Sequence, residues 1–195
     1  GRCVNIKALF TFKFSEEELE RIRNLGYEVI FASESNKSSL GKLTDEELES
    51  IDILATYNCF EKIDISKMKN LKYIQLSSTG FDQVPIEKLK NKDILLCNNK
   101  GGYSIPISEW IVSAILQIYK NTKSFYDKQS KKQWICDYSV SEIYGKKIGF
   151  LGTGTLAMES AKRLKAFGVE IWGWNTDGRD IKYFDKSFSK EDINE

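Results

Sequence analysis

Residues 145–157, Gly-Lys-Lys-Ile-Gly-Phe-Leu-Gly-Thr-Gly-Thr-Leu-Ala, run from a polar start through an apolar stretch into a cluster of small residues. Lys147–Leu151 has the character of a strand, and from Thr155 to about Phe167 apolar residues recur at helical spacing until Gly168 offers a C-cap. A second apolar run, Val169–Trp174, then reads as another strand. Strand, glycine turn, helix and strand together present backbone amides, at the positive end of a helix, to a dinucleotide pyrophosphate. In that arrangement Gly152 permits the tight turn, Gly154 lets the backbone approach the pyrophosphate, and Ala157 allows the helix to pack closely on the strand. The amides of Thr155 and Leu156 would face the phosphates. Glycine turns of this kind also join strands to helices for purely structural reasons, and it is the flanking order of elements that points to a cofactor.

The end of the second strand, where a ribose-binding acid is usual, carries Asn175-Thr176. Asparagine can hydrogen-bond a ribose hydroxyl without repelling a 2′-phosphate, and Arg179 is close enough in sequence to attract one. Asp177 and Asp180 argue the other way. NAD or NADP is expected, with NADP or dual use slightly favoured, and the alternative is that Asn175–Gly178 is merely a polar turn. A complete dinucleotide fold needs two mononucleotide halves, and after the first unit there is room for about one more helix. Ser189-x-x-Asp192 reads as the N-cap of that helix.

Upstream, short apolar runs alternate with polar helical segments: Val4–Phe12, Glu16–Asn24, Tyr27–Phe31, Asp45–Ser50 and Ile51–Thr56, with further strands at Tyr73–Leu76 and Ile94–Cys97. Such alternation is the mark of a parallel α/β sheet. Ser15-x-x-Glu18 and Thr44-x-x-Glu47 are capping boxes that would start two of the helices, and Ser33–Gly41 reads as a surface loop. A longer helix, Pro106–Tyr119, is expected to link two domains and to bury Trp110, Ile111, Ala114, Ile115 and Ile118 on one face. Residues 120–144 suit an irregular arm whose Trp134 and Tyr138 pack either on a partner or on the chain's own core.

The 195 residues carry 29 basic and 28 acidic side chains, scattered through the chain, which leaves no basic stripe for nucleic acid or an anionic membrane. With 41% hydrophobic residues a real core can form, and small-molecule chemistry is the better expectation. Cys3, Cys59, Cys97 and Cys136 are far apart, and the chain has no histidine, so neither a zinc site nor a disulfide framework is supported. They read as reduced thiols of a cytoplasmic protein. No apolar run is long enough to span a bilayer, and no signal-peptide layout is present at the N-terminus.

Several longer motifs carry a family pattern. Leu71-Lys-Tyr-Ile-Gln-Leu-Ser-Ser-Thr-Gly-Phe-Asp-Gln-Val84, Asn98-Asn-Lys-Gly101 followed by Pro106-Ile-Ser-Glu-Trp110, and Tyr144–Gly154 with Leu164-Lys-Ala-Phe-Gly168 resemble the D-isomer-specific 2-hydroxyacid dehydrogenases, including phosphoglycerate dehydrogenase-like members, in order and spacing over nearly the whole chain. The resemblance implies a flavodoxin-like parallel-sheet substrate domain over 1–101. It also implies a linker helix, an arm and the first half of a Rossmann dinucleotide-binding domain over 102–195, with substrate bound in the cleft between the domains. It places Ser78-Thr79-Gly80 in a loop whose amides hold the substrate carboxylate, with Asn98 and Gly101 in the next cleft loop.

The family's catalytic arginine, and the histidine tuned by an acidic partner, have no counterpart in these 195 residues. No catalytic or metal-binding residue is therefore assigned. The chain reads as a truncated oxidoreductase for a small D-2-hydroxy or 2-keto acid, inactive by itself, with an uncovered sheet edge and apolar face and an expected homodimer. A non-catalytic nucleotide-sensing or interaction module is the alternative, and a decayed gene product a third.

Overall fold

The computed structural model describes residues 5–35, 37–90 and 93–194 of the chain; Cys3 and the expected strand start at Val4 lie outside them. Two compact units divide the chain between Lys100 and Gly101.

In the first unit, β1 (Ile6–Phe10), β2 (Tyr27–Phe31), β3 (Ile53–Thr56), β4 (Tyr73–Leu76) and β5 (Leu95–Cys97) form one parallel sheet in the order β2-β1-β3-β4-β5. This is the flavodoxin-like order, whose direction of winding reverses between β1 and β3. Apolar strand residues alternate into cores on the two faces, and Leu9, Leu54, Ile74 and Leu76 are fully buried. Helix α1 (Glu16–Asn24) starts at Ser15, whose hydroxyl accepts from the Glu18 amide while the Glu18 carboxylate accepts from the Ser15 amide. Thr44 and Glu47 repeat that box at α3 (Asp45–Glu49). The stretch expected to be a surface loop, Ser33–Gly41, instead contains the short helix α2 (Lys37–Leu40). Leu40 reaches the core, and an apolar anchor inside a polar run is what composition alone conceals. A further short helix, α4 (Ile86–Leu89), precedes β5.

In the second unit, α5 (Ser104–Tyr119) and α6 (Thr122–Ser130) precede β6 (Lys147–Leu151), α7 (Thr155–Leu164), β7 (Glu170–Asn175) and β8 (Lys186–Ser189). The sheet is parallel in the order β6-β7-β8. Its core gathers Ile143, Ala161, Leu164, Val169 and Ile171, with Val112, Ile115, Leu116 and Tyr119 of α5 packed against it. The buried face of α5 therefore differs from the expected one. Ile115 is retained, but Trp110 is 74% exposed and Ile118 76% exposed, because the apolar residues of α5 run round more than one face and packing selects among them.

Residues 120–144 are not wholly irregular, since α6 occupies their first half. Asp137 ties the following segment back to that helix, accepting from Ser124 Oγ at 2.7 Å and Lys128 Nζ at 2.7 Å. Of the two placements left open for the arm aromatics, packing on the chain's own core is excluded: Trp134 is 102% exposed and Tyr138 92%. The expected terminal helix is also corrected. A third strand, β8, follows β7, and Ser189 and Asp192 cap a short 3-10 helix, Lys190–Asn194, in which the Ser189 amide donates to Asp192 Oδ2 at 2.9 Å. Lys-Ser-Phe-Ser has little strand propensity of its own; pairing with β7 and stacking of Phe188 on Trp174 hold it.

Candidate functional site

Gly152 leaves β6 at φ +96°, a conformation that a side chain would strain, and its amide donates to the Trp174 carbonyl of β7 at 2.8 Å. Gly154, the N-cap of α7, has φ −72°, so its backbone alone would admit any residue. Nor does packing require glycine: a Cβ added there would meet no atom within 4 Å among the described residues. The space above Gly154 is open, and the first-turn amides of α7, including those of Thr155 and Leu156, have no acceptor within the helix. Ala157 is buried and aligned with Ser160, Ala161 and Leu164 on the inward face of α7. Thr155 also receives a hydrogen bond on its hydroxyl from Ser104 of α5, at 3.1 Å, which fixes the start of α7.

One residue beside this turn was not singled out from sequence. Gly173 on β7 accommodates the Thr153 methyl, and a Cβ there would lie 2.6 Å from it and 2.6 Å from Phe184. Only the pairing of β6 with β7 brings Gly173 beside the turn, so the linear spacing gave no signal.

After β7 the residues expected to meet the ribose form a closed turn. Asn175 is only 8% exposed; its Nδ2 donates to the Arg179 carbonyl at 2.9 Å and its Oδ1 accepts from the Asp177 amide at 3.3 Å. Arg179 Nη1 donates to Asp177 Oδ1 at 2.6 Å, and that contact holds the Asp177 carboxyl below its usual range. Thr176 is exposed on the same turn.

In the first unit the loop after β4 and the loop after β5 are brought together. Asn98 Nδ2 donates to the Thr79 carbonyl at 2.8 Å, the Asn99 amide donates to the Ser78 carbonyl at 2.9 Å, and Ser78 Oγ donates to the Gly80 carbonyl at 2.7 Å. Gln83 Nε2 also braces the loop, donating to Ser78 Oγ at 2.9 Å. Thr79 and Gly80 are exposed, and among the described residues no hydrogen bond engages their amides. Gly101, the first residue of the second unit, turns the chain at φ +91°.

A second polar cluster lies at the carboxyl ends of β1 and β3, where the sheet order reverses. The Glu34 carboxylate accepts from Thr56 Oγ1 at 2.6 Å, from the Tyr57 amide at 2.7 Å, from the Asn58 amide at 3.0 Å, and from the Thr11 hydroxyl. Burial pushes the Glu34 carboxyl upward, but the hydroxyls of Thr11 and Thr56 and the two amides outweigh it, and the net shift is downward. Three polar residues separated by more than twenty positions are not visible as a cluster in sequence; a polar residue at the end of successive apolar strands is the signal that could have found them.

Among the described residues no group of three or more His, Cys, Asp or Glu side chains could hold a metal ion, and no helix is long and apolar enough to cross a membrane.

Residues 112–195 match the family model described as D-isomer specific 2-hydroxyacid dehydrogenase, NAD binding domain. Over 171 residues the chain is 23% identical to a D-3-phosphoglycerate dehydrogenase of Methanocaldococcus jannaschii, a match that covers 87% of this chain and 32% of that protein. The chain thus spans about a third of that curated relative's length. A solved D-isomer specific 2-hydroxyacid dehydrogenase family protein from Aeromonas salmonicida superposes with a TM-score of 0.76 at 20% identity, over 97% of this chain and 60% of that one. An NAD-dependent formate dehydrogenase from Staphylococcus aureus, solved in complex with NAD, gives 0.66 at 19% identity, over 91% and 59%. The two superpositions establish a shared fold. Through the family model over residues 112–195, the second unit, with its glycine turn between β6 and α7, is similar to the NAD binding domain of D-isomer specific 2-hydroxyacid dehydrogenases.

Proposed function

We propose that this chain supplies the substrate-carboxylate loop and the adenosine-pyrophosphate end of the cofactor site of an oxidoreductase. The reaction is hydride transfer between NAD(P) and a small D-2-hydroxy or 2-keto acid. The observation that carries this reading is the open space above Gly154, a glycine required by neither its backbone angle nor its packing. A residue without a side chain there admits a pyrophosphate onto the free amides of Thr155 and Leu156. Nicotinamide, when bound, supplies the hydride chemistry. The free amides of Thr79 and Gly80, held in place by Asn98, suit a carboxylate in the way consecutive N–H groups cradle anions.

The chain has no histidine, so no imidazole within these residues can exchange the proton that accompanies hydride transfer. We therefore expect binding without turnover from the 195 residues alone. Exposed Trp110, Trp134 and Tyr138 support a homodimer, and a cytoplasmic location accords with the free, widely separated cysteines.

Calorimetric titration of the chain with ADP-ribose and with NADH tests the cofactor reading. Comparable weak binding of both is expected, because the adenine end carries the contacts. Absence of binding would remove the cofactor reading, and a large preference for NADH would show a nicotinamide pocket that this account does not contain.

A further inference from the structure

We propose that Gln83 is a positioning residue for anion binding: it straps the loop after β4 to the backbone that follows β3, and so holds the Thr79 and Gly80 amides in one orientation for a substrate carboxylate. This rests on the reading of Ser78–Gly80 as the carboxylate loop.

The strap is a single amide group. Gln83 Nε2 carries two hydrogens, and it donates to the Tyr57 carbonyl at 2.9 Å and to Ser78 Oγ at 2.9 Å. Its anchor on the β3 side is itself fixed, because the amides of Tyr57 and Asn58 donate to the Glu34 carboxylate at 2.7 and 3.0 Å. Hydrogen bonds to an ionised acceptor are stronger than neutral ones, so the strap pulls against a firm support. A carboxylate just past β2 thus reaches the loop after β4 through the Tyr57 backbone and one side chain.

At Ser78 the strap decides where a hydrogen goes. A hydroxyl has one hydrogen to give, and Gln83 Nε2 can only donate to it, so the Ser78 hydrogen is committed to the Gly80 carbonyl at 2.7 Å. The two preceding carbonyls are held from the β5 side: the Asn99 amide donates to that of Ser78 at 2.9 Å, and Asn98 Nδ2 donates to that of Thr79 at 2.8 Å. A planar trans peptide points each amide N–H opposite to the carbonyl of the residue before it. Fixing the carbonyls of Ser78 and Thr79 therefore aims the amides of Thr79 and Gly80. Gly80 has no side chain to restrict its torsions, so the hold on its own carbonyl is what keeps its two peptide planes from swinging. Without Gln83 the Ser78 hydroxyl is free to rotate, and an anion must then bear the cost of ordering the loop when it binds.

The test is a titration of the wild-type chain, Gln83→Met, Ser78→Ala and the double variant with glycolate, a minimal 2-hydroxy carboxylate. The readout is the amide chemical shifts of Thr79 and Gly80, and ADP-ribose is titrated on the same preparations. Methionine keeps the length of the side chain and removes both donors. Gln83→Met should weaken glycolate binding about fivefold, the worth of a neutral hydrogen bond, and leave the ADP-ribose titration unchanged. Ser78→Ala should weaken it at least as much, and the double variant no further than Ser78→Ala alone, since the strap is broken at either end. A residue that merely stabilised the fold would disturb amide shifts throughout the first unit and add its loss to that of Ser78→Ala. Unchanged glycolate affinity in Gln83→Met, or additive losses in the double variant, would overturn the inference while leaving the carboxylate-loop reading intact. If glycolate moves neither amide in wild type, that reading falls and the inference falls with it.

Discussion

Gly152 and Gly154 stand two residues apart and answer to different requirements. At Gly152 the backbone angle itself demands glycine, so Gly152→Ala should cost about 1 kcal/mol or more in stability, read as a lowered midpoint in urea. At Gly154 a methyl group fits the folded chain, and the cost of substitution should fall on the ligand instead. Glu34 is a residue of another kind, a carboxylate saturated by four donors. Glu34→Gln removes a charged acceptor from buried hydroxyls and should destabilise by about 1–3 kcal/mol. Because the folded-state pKa of Glu34 is lowered, its contribution is complete above the ordinary carboxylate value of about 4.3 and is lost as pH falls through the lower folded value. Acid unfolding followed by circular dichroism should therefore be less steep in Glu34→Gln than in wild type; parallel curves would show that Glu34 does not carry that dependence. Thiol chemistry gives a further check. Burial pushes the Cys59 thiol up to about 11, whereas Cys136 is exposed, so a maleimide at pH 7.5 should label Cys136 in the folded chain and leave Cys59 untouched until denaturant is added.

Elements whose local chemistry and burial agree were legible in the sequence. Helix α1 and strands β2, β4 and β6 have the residue bounds that capping and apolar runs indicate, since a capping box or a short β-branched run is a local signal that tertiary context does not need to override. The glycine turn was legible for the same reason. Other features depend on contacts the linear pattern cannot show: the buried face of α5, strand β8, the Glu34 cluster, and the closure of Asn175 upon its own turn. For α5 this has a measurable consequence. Trp110→Ala should change stability by no more than about 0.5 kcal/mol, whereas Leu164→Ala, on the fully buried face of α7 that packs along α5, should cost about 2–5 kcal/mol. Equal costs would mean that α5 presents its other face to α7.

At the scale of the whole molecule, each unit is a parallel sheet with its candidate residues at the carboxyl ends of strands. Among the described residues β6 is an edge strand, with Leu151 76% exposed, and one face of its sheet carries Trp172, Trp174 and Phe188, with Phe188 stacked on Trp174 and tilted against Trp172. Unpaired strand edges and apolar faces favour association between chains. Light scattering over a concentration series should report a dimer, and Trp134→Ser should weaken it; a monomeric mass throughout would refute the homodimer.

The central claim is that the turn between β6 and α7 binds a nucleotide, and Gly154→Val tests it most directly. Thermal unfolding and an ADP-ribose titration on the same preparation separate the two roles that a glycine can have there. The account predicts a melting temperature close to wild type together with loss of ADP-ribose binding. Unchanged binding in a folded Gly154→Val chain would contradict it and leave the turn as a structural connection between a strand and a helix.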